Sequence, residues 1–138
     1  MKTADEAYKE ALKGINIQEN ERIVLKNKSY MYCYIFARDV KEANIKAHEQ
    51  IILESKDSFW CYRFVKNVRK ANIKTHEQVI LKSKDINYCY WFAKDIPGAN
   101  KEELFKVVLE SGNKNWINYF LENVEFNKEK FTNYILFI

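Results

Sequence analysis

Cysteines stand at Cys33, Cys61 and Cys89, and asparagines at Asn16, Asn44, Asn72 and Asn100; both series step by 28 residues. In that register the chain reads INIQENERIVLKNKSYMYCYIFARDVKE from residue 15 and ANIKAHEQIILESKDSFWCYRFVKNVRK from 43. ANIKTHEQVILKSKDINYCYWFAKDIPG follows from 71 and ANKEELFKVVLESGNKNWINYFLENVEF from 99, with no gap in any copy. Four such copies confine the fold to one supersecondary unit stacked on copies of itself.

Each column of the repeat has a physical reading. Leu25, Leu53, Leu81 and Leu109 are identical, as are Phe36, Phe64, Phe92 and Phe120. With Val40, Val68, Ile96 and Val124 they form the expected core. Ser29, Asp57, Asp85 and Asn113 differ in identity but share a short side-chain oxygen that can accept from a free amide in a first helical turn. The asparagine column does the same for the preceding segment, so each repeat holds two helices, A and B. Cys61, Phe64, Val65 and Val68 stand at i, i+3, i+4 and i+7, one face of a helix. Ile45, His48 and Ile52 make a second stripe. The spacing predicts helix A over about 45–54 and helix B over about 58–68. A heptad followed from Ile45 turns polar and misses Phe64 and Val68, so a coiled coil is excluded. Only three glycines and one proline punctuate 138 residues, too few for a fold rich in turns.

The ends extend the pattern. Thr3 and Glu6 read as a capping box, and backward alignment puts Tyr8 in the Phe column and Leu12 in the Val column. Asn127 is placed to cap a last helix, with Ile135, Leu136 and Phe137 in core columns. The organisation resembles an α-solenoid of paired helices, the class of the tetratricopeptide and HEAT repeats. The resemblance is architectural: a 28-residue period is shorter than the ~34 of a tetratricopeptide repeat, and that family's Trp-Leu-Gly-Tyr signature is absent. The expected fold is all-α, a right-handed α-solenoid of about four helix-turn-helix repeats in one domain over 1–138. A capping helix is expected in 1–14, repeats in 15–42, 43–70, 71–98 and 99–126, and a second capping helix in 127–138.

Catalytic chemistry is not expected. Equivalent thiols of stacked repeats would lie ~8–10 Å apart, too far to share a zinc ion at ~2.3 Å. Cys33, Cys61 and Cys89 therefore read as small core residues, and Ile117 takes their place in the fourth copy. His48 and His76 read as half-buried packing residues, replaced by Leu104. The HEQ segments lack the second histidine of HExxH, and no glycine-rich phosphate loop or nucleophile elbow is present. No cofactor or metal is expected, and a repeated pattern does not make the single asymmetric constellation of an active site.

What remains is surface. Lys28, Lys56 and Lys84 form a basic column in the A–B turn. Tyr34, Tyr62 and Tyr90 precede Arg38, Lys66 and Lys94 by four residues, which places each ring on the face of its cation. Residues 15–98 hold 15 Lys/Arg against 10 Asp/Glu and residues 99–126 hold 3 against 5, so charge is polarised along the array. Glu21, Glu49 and Glu77 make an acidic column as regular as the basic ones. The expected function is a non-enzymatic protein–protein interaction module, an adaptor or inhibitor, whose partner offers an acidic surface to Tyr34, Arg38, Tyr62, Lys66, Tyr90 and Lys94. The abundance of Lys, Asn, Ile and Tyr suggests an AT-rich bacterial or phage genome, and so an inhibitor of a host enzyme or defence complex. Helical repeats can also read nucleic acid one base per repeat, the alternative that the mild net charge of +4 and the glutamate column disfavour. The apolar C-terminus suggests a homodimer through Phe131, Ile135, Leu136 and Phe137. An odd cysteine count, no apolar signal core and no 18-residue apolar run point to a cytoplasmic protein without a membrane span.

Overall fold

The computed structural model describes residues 1–135. Every described element is helical: α1 (Ala4–Leu12), α2 (Ile17–Asn27), α3 (Tyr30–Asp39), α4 (Ile45–Glu54), α5 (Ser58–Asn67), α6 (Ile73–Ser83), α7 (Ile86–Asp95), α8 (Lys101–Glu110) and α9 (Lys114–Asn123). A 3-10 turn at Glu129–Phe131 and a short α10 (Thr132–Ile135) follow. The A helices α2, α4, α6 and α8 pack side by side in chain order, and the B helices α1, α3, α5, α7 and α9 form a second layer against them. The most extensive pairs, α1 with α2, α3 with α4, α5 with α6 and α7 with α8, join a B helix to the following A helix. The architecture is all-α and helical-repeat-like. No described helix is long and apolar enough to cross a membrane.

Local chemistry sets the boundaries. Asn44, Asn72 and Asn100 accept from the amides of Ala47, Thr75 and Glu103 at 3.2–3.3 Å. Ser29, Asp57 and Asn113 cap the B helices in the same way. Asn16 and Asp85 do not. Asn16 sits in the left-handed region at φ 43° and makes no side-chain cap bond. Asp85 also makes none, and its own amide donates to Ser83 Oγ at 3.1 Å. Ser55 and Ser111 accept from Asp57 and Asn113 at the same distance while each donates its hydroxyl to a carbonyl of the preceding turn. This serine bracket fixes the A–B corner in three repeats. The Thr3–Glu6 capping box is present.

The core differs from the sequence expectation in two columns and in α1. The Phe and Val/Ile columns of the B helices are buried, as expected. The leucines are only half-buried, and the seal beneath them is Val24, Ile52, Ile80 and Val108. In α1 the buried stripe is Ala4, Ala7 and Ala11, while Tyr8 is half-buried and Leu12 is 48 % exposed. Alanines let α1 approach α2 and α3 closely, and that contact shifts the stripe by one residue. His48 and His76 are fully buried, not half-buried. Each imidazole stacks on the phenylalanine of the preceding B helix, His48 on Phe36 at 5.0 Å and His76 on Phe64 at 5.3 Å.

The glutamate column is not a surface feature. Glu49 and Glu77 are buried, and all three carboxylates point into repeat junctions. Glu21 Oε2 accepts from the Asn44 amide at 2.7 Å and from His48 Nε2 at 3.0 Å. Glu49 repeats the pattern with Asn72 at 2.6 Å and His76 at 3.0 Å. Glu77 takes only the Asn100 amide, at 2.7 Å, because Leu104 stands where the histidine would be. Each glutamate thus ties the amide of the next A helix's cap residue to the preceding repeat.

Candidate binding surface

Helix B places Tyr34, Tyr62 and Tyr90 beside the Phe stripe and sets each cation one turn later. The expected pairs form: Arg38 lies 5.2 Å from the Tyr34 centroid, Lys66 5.5 Å from Tyr62 and Lys94 5.9 Å from Tyr90. The cations are exposed, but the rings are not offered to solvent as a ladder. Tyr34 and Tyr90 are 3 % and 5 % exposed, and Tyr62 is half-buried. Each packs on an aromatic of the next repeat: Tyr34 on Trp60 at 6.0 Å, Tyr62 on Tyr88 at 5.8 Å and Tyr90 on Trp116 at 5.6 Å. These are favourable tilted geometries.

The hydroxyls are bound as well. Asn67 Nδ2 donates to the Tyr34 oxygen at 2.8 Å, and Tyr62 donates to Asp95. Burial and then that Asp95 bond push the Tyr62 hydroxyl's pKa well up, so it stays protonated. Tyr8 donates in the same sense to Asp39. Asp39 also forms a two-pronged pair with Arg38, and its carboxyl is held below the usual range by that guanidinium. Lys66 lies 3.8 Å from Asp95. The tyrosine ring–cation pairs therefore join neighbouring repeats through an Asp/Asn column at 39, 67 and 95.

Sequence reasoning missed two parts of this band. Tyr32, Trp60, Tyr88 and Trp116 are an all-aromatic column at the same 28-residue step, readable from the register. Arg63 was hidden because its column also holds Ile35, Trp91 and Tyr119. Its guanidinium sits 5.0 Å from Phe59 and 5.9 Å from Tyr34. On the outer edge Met31, Trp91 and Tyr119 are exposed, and Lys94 lies 5.4 Å from the Trp91 ring. The band that solvent meets is thus Arg38, Arg63, Lys66 and Lys94 set among Met31, Trp91 and Tyr119.

The other chemistry-bearing groups lie inside. Cys33, Cys61 and Cys89 are buried and unpaired, and burial pushes their thiols up to about 12, far from the thiolate needed for attack or ligation. Among the described residues no cluster of three His, Cys, Asp or Glu is placed to hold a metal ion. At the C-terminus Phe131 is buried, 5.0 Å from the Phe105 ring, and Ile135 is half-buried. Of the residues expected to carry a homodimer, Phe131 is thus packed into the last repeat, while Tyr134 beside it is exposed. Leu136 and Phe137 lie outside the described residues.

The class that fold and surface define is an all-α, helical-repeat-like protein with an aromatic and cationic band on one helix layer. No known protein family, curated protein or solved structure matches the chain.

Proposed function

We propose that this chain is a non-enzymatic protein–protein interaction module, an adaptor or inhibitor encoded by a bacterium or phage and working in the cytoplasm. In this reading residues 1–138 are one right-handed α-solenoid of four repeats with a capping helix at each end, and the B layer is its docking face. The observation that carries the proposal is the outer edge of that layer, where Arg63 and Lys94 stand over rings beside exposed Trp91 and Tyr119. Aromatics with adjacent cations are what interface hot spots favour, and an acidic partner surface is their complement. Tyr34, Tyr62 and Tyr90 set the spacing of Arg38, Lys66 and Lys94 rather than meeting the partner with their faces. Three unpaired thiols suit a reducing compartment.

The test is capture from lysate of the native host with mass spectrometry, with and without nuclease, using wild type and the Arg63→Glu/Lys94→Glu double variant. A protein captured by wild type, retained after nuclease and lost with the variant supports the proposal. Capture unaffected by the variant removes the B layer.

One observation favours a second reading. Because Glu21, Glu49 and Glu77 point into the junctions, the outer surface is more cationic than the sequence count implies. Exposed Trp91 beside Lys94 could stack a single-stranded base. Affinity for an oligonucleotide that falls steeply with salt would select this reading.

A further inference from the structure

The A layer carries a second surface. Leu53 and Val79 line an open groove of about 510 Å³ where α4 meets α6, with Lys56 and Lys82 also on its wall. That size is within the range of clefts that take small ligands. A second groove of about 400 Å³, where α6 meets α8, has Leu81, Val107, Lys82, Lys84 and Lys106 in its lining, together with Glu103 and Glu110. Lys82 lines both grooves.

Three observations say what would fill them. First, leucine recurs in all four repeats at a half-buried position while the neighbouring Val/Ile column seals the core. The leucines leave apolar surface on the grooves that an apolar side chain would cover. Second, Lys56, Lys82, Lys84 and Lys106 make no ion pair among the described residues, as Arg63 and Lys94 of the B layer make none. The first groove has no carboxylate in its lining. Third, Lys28, Lys56 and Lys84 occupy left-handed backbone at φ 58°, 53° and 56°, where the fourth repeat has Gly112 at φ 72°. A left-handed residue here ends helix A, and lysine at that end puts Lys56 on the wall of the first groove and Lys84 on the wall of the second, where glycine would leave none.

We propose that the two grooves form one docking surface for an acidic amphipathic helix of a partner protein, its aliphatic anchors seated on Leu53 and Leu81 and its carboxylates meeting Lys56, Lys82 and Lys84. Adjacent A helices pack ~8–10 Å apart. Anchors at i and i+7 of a helix, at ~1.5 Å per residue, span that separation. A nucleic-acid backbone would meet the lysines but leave the leucine floor uncovered. This surface lies on different helices from the aromatic band and stands independently of it.

The test is fluorescence anisotropy with a labelled synthetic helix-forming peptide carrying leucines at i, i+3 and i+7 flanked by glutamates. Controls replace its glutamates by lysines or its leucines by serines, and an unlabelled oligothymidine serves as competitor. The acidic amphipathic peptide should bind and both controls should not. Lys82→Glu should weaken binding about tenfold and Leu81→Ser severalfold, with helicity retained, while Lys114→Glu, an exposed position in neither surface, leaves it unchanged. Lys56→Gly/Lys84→Gly should keep or raise the melting temperature and still weaken binding. No binding at high micromolar protein, equal binding of the lysine peptide, displacement by oligothymidine, or indifference to Lys82→Glu would each overturn the proposal.

Discussion

The first and second A–A junctions are held by polar clamps, and the third is not. At Glu21–His48 and Glu49–His76 one carboxylate oxygen accepts from both a cap amide and an imidazole. At the third, Glu77 keeps the amide bond alone and faces Leu104. One column further, the fourth repeat replaces glutamate by Phe105, whose ring meets Phe120, Phe126 and Phe131 at 5.0–5.1 Å. The same backbone step is thus closed by a buried dyad in the middle of the array and by aromatic packing at its end. A glutamate in this column serves the A helix that follows. Where the final turn follows instead, an apolar ring is the better partner. Buried polar pairs give register more readily than net stability, which suits internal junctions, while apolar area suits the terminus.

The largest effects should come from removing either closure. Phe105→Ala takes a fully buried ring out of a four-ring cluster and should cost about 3–5 kcal/mol in denaturant unfolding. A loss below about 1 kcal/mol would show the cluster is not what closes the end. Glu49→Ala strands the His76 Nε2–H in the interior, takes away the Asn72 amide's partner at the junction, and should cost about 3 kcal/mol. Glu77→Gln should cost less than Glu49→Gln. Burial already raises the Glu77 carboxyl's pKa, and a neutral acceptor replaces it well. Equal losses in the two glutamine variants would erase the distinction between the junctions.

Much of the helix pattern was legible because the 28-residue step multiplies each local signal fourfold. The boundaries at 45–54 and the start at 58 follow from caps that recur at Asn44 and Asp57, and the structure ends α5 at Asn67, one residue short of the expected 68. The period tells which residues share a face, but not which face is buried. Glu49 lies one position past His48, at the edge of the apolar stripe, and a charged residue there reads as solvated unless its partner, 27 residues ahead, is known. The shift in α1 was hidden for a different reason. Alanines carry little apolar weight in a sequence pattern, yet they permit the closest helix approach. The aromatic band was half legible: Arg38, Lys66 and Lys94 were found, but Arg63 and the Trp60 and Trp116 rings that cover the tyrosines were not.

A smaller effect separates the junctions by pH. Burial lowers the pKa of His48 and His76 below the ordinary 6.5, outweighing the glutamates that raise it. Each Nδ1 is buried without a hydrogen-bond partner, so protonation there would bury an unpaired N–H. The neutral imidazole donates through Nε2. Unfolded chains take up the proton near pH 6.5 and the folded one resists it, so the contribution is complete above pH 6.5 and is lost as pH falls towards the folded-state value. Unfolding free energy should decline by up to ~1.4 kcal/mol per pH unit for each histidine in that window. His48→Leu/His76→Leu reproduces the third junction and should abolish this decline. Glu77, whose folded pKa is raised, acts with the opposite sign: its contribution is complete below the ordinary carboxylate value and is lost as pH rises. A variant that keeps the full decline below pH 6.5 would place its origin elsewhere.

The smallest effect tests the A–B turn, where the first three repeats hold lysine and the fourth holds glycine. All four positions are left-handed. A Cβ at Gly112 would meet nothing within 4 Å, so substitution there is opposed by backbone conformation alone. Gly112→Lys should therefore cost about 1 kcal/mol, and Lys84→Gly should gain a few tenths, the glycine's greater unfolded-state entropy offsetting part of the relieved strain. The swap isolates the turn because glycine has no side chain and the Lys84 side chain makes no hydrogen bond or ion pair among the described residues. If Lys84→Gly instead destabilises by 1 kcal/mol or more, the lysine stem covers Leu81 and is held there for packing. The left-handed lysine column would then be explained by the fold alone.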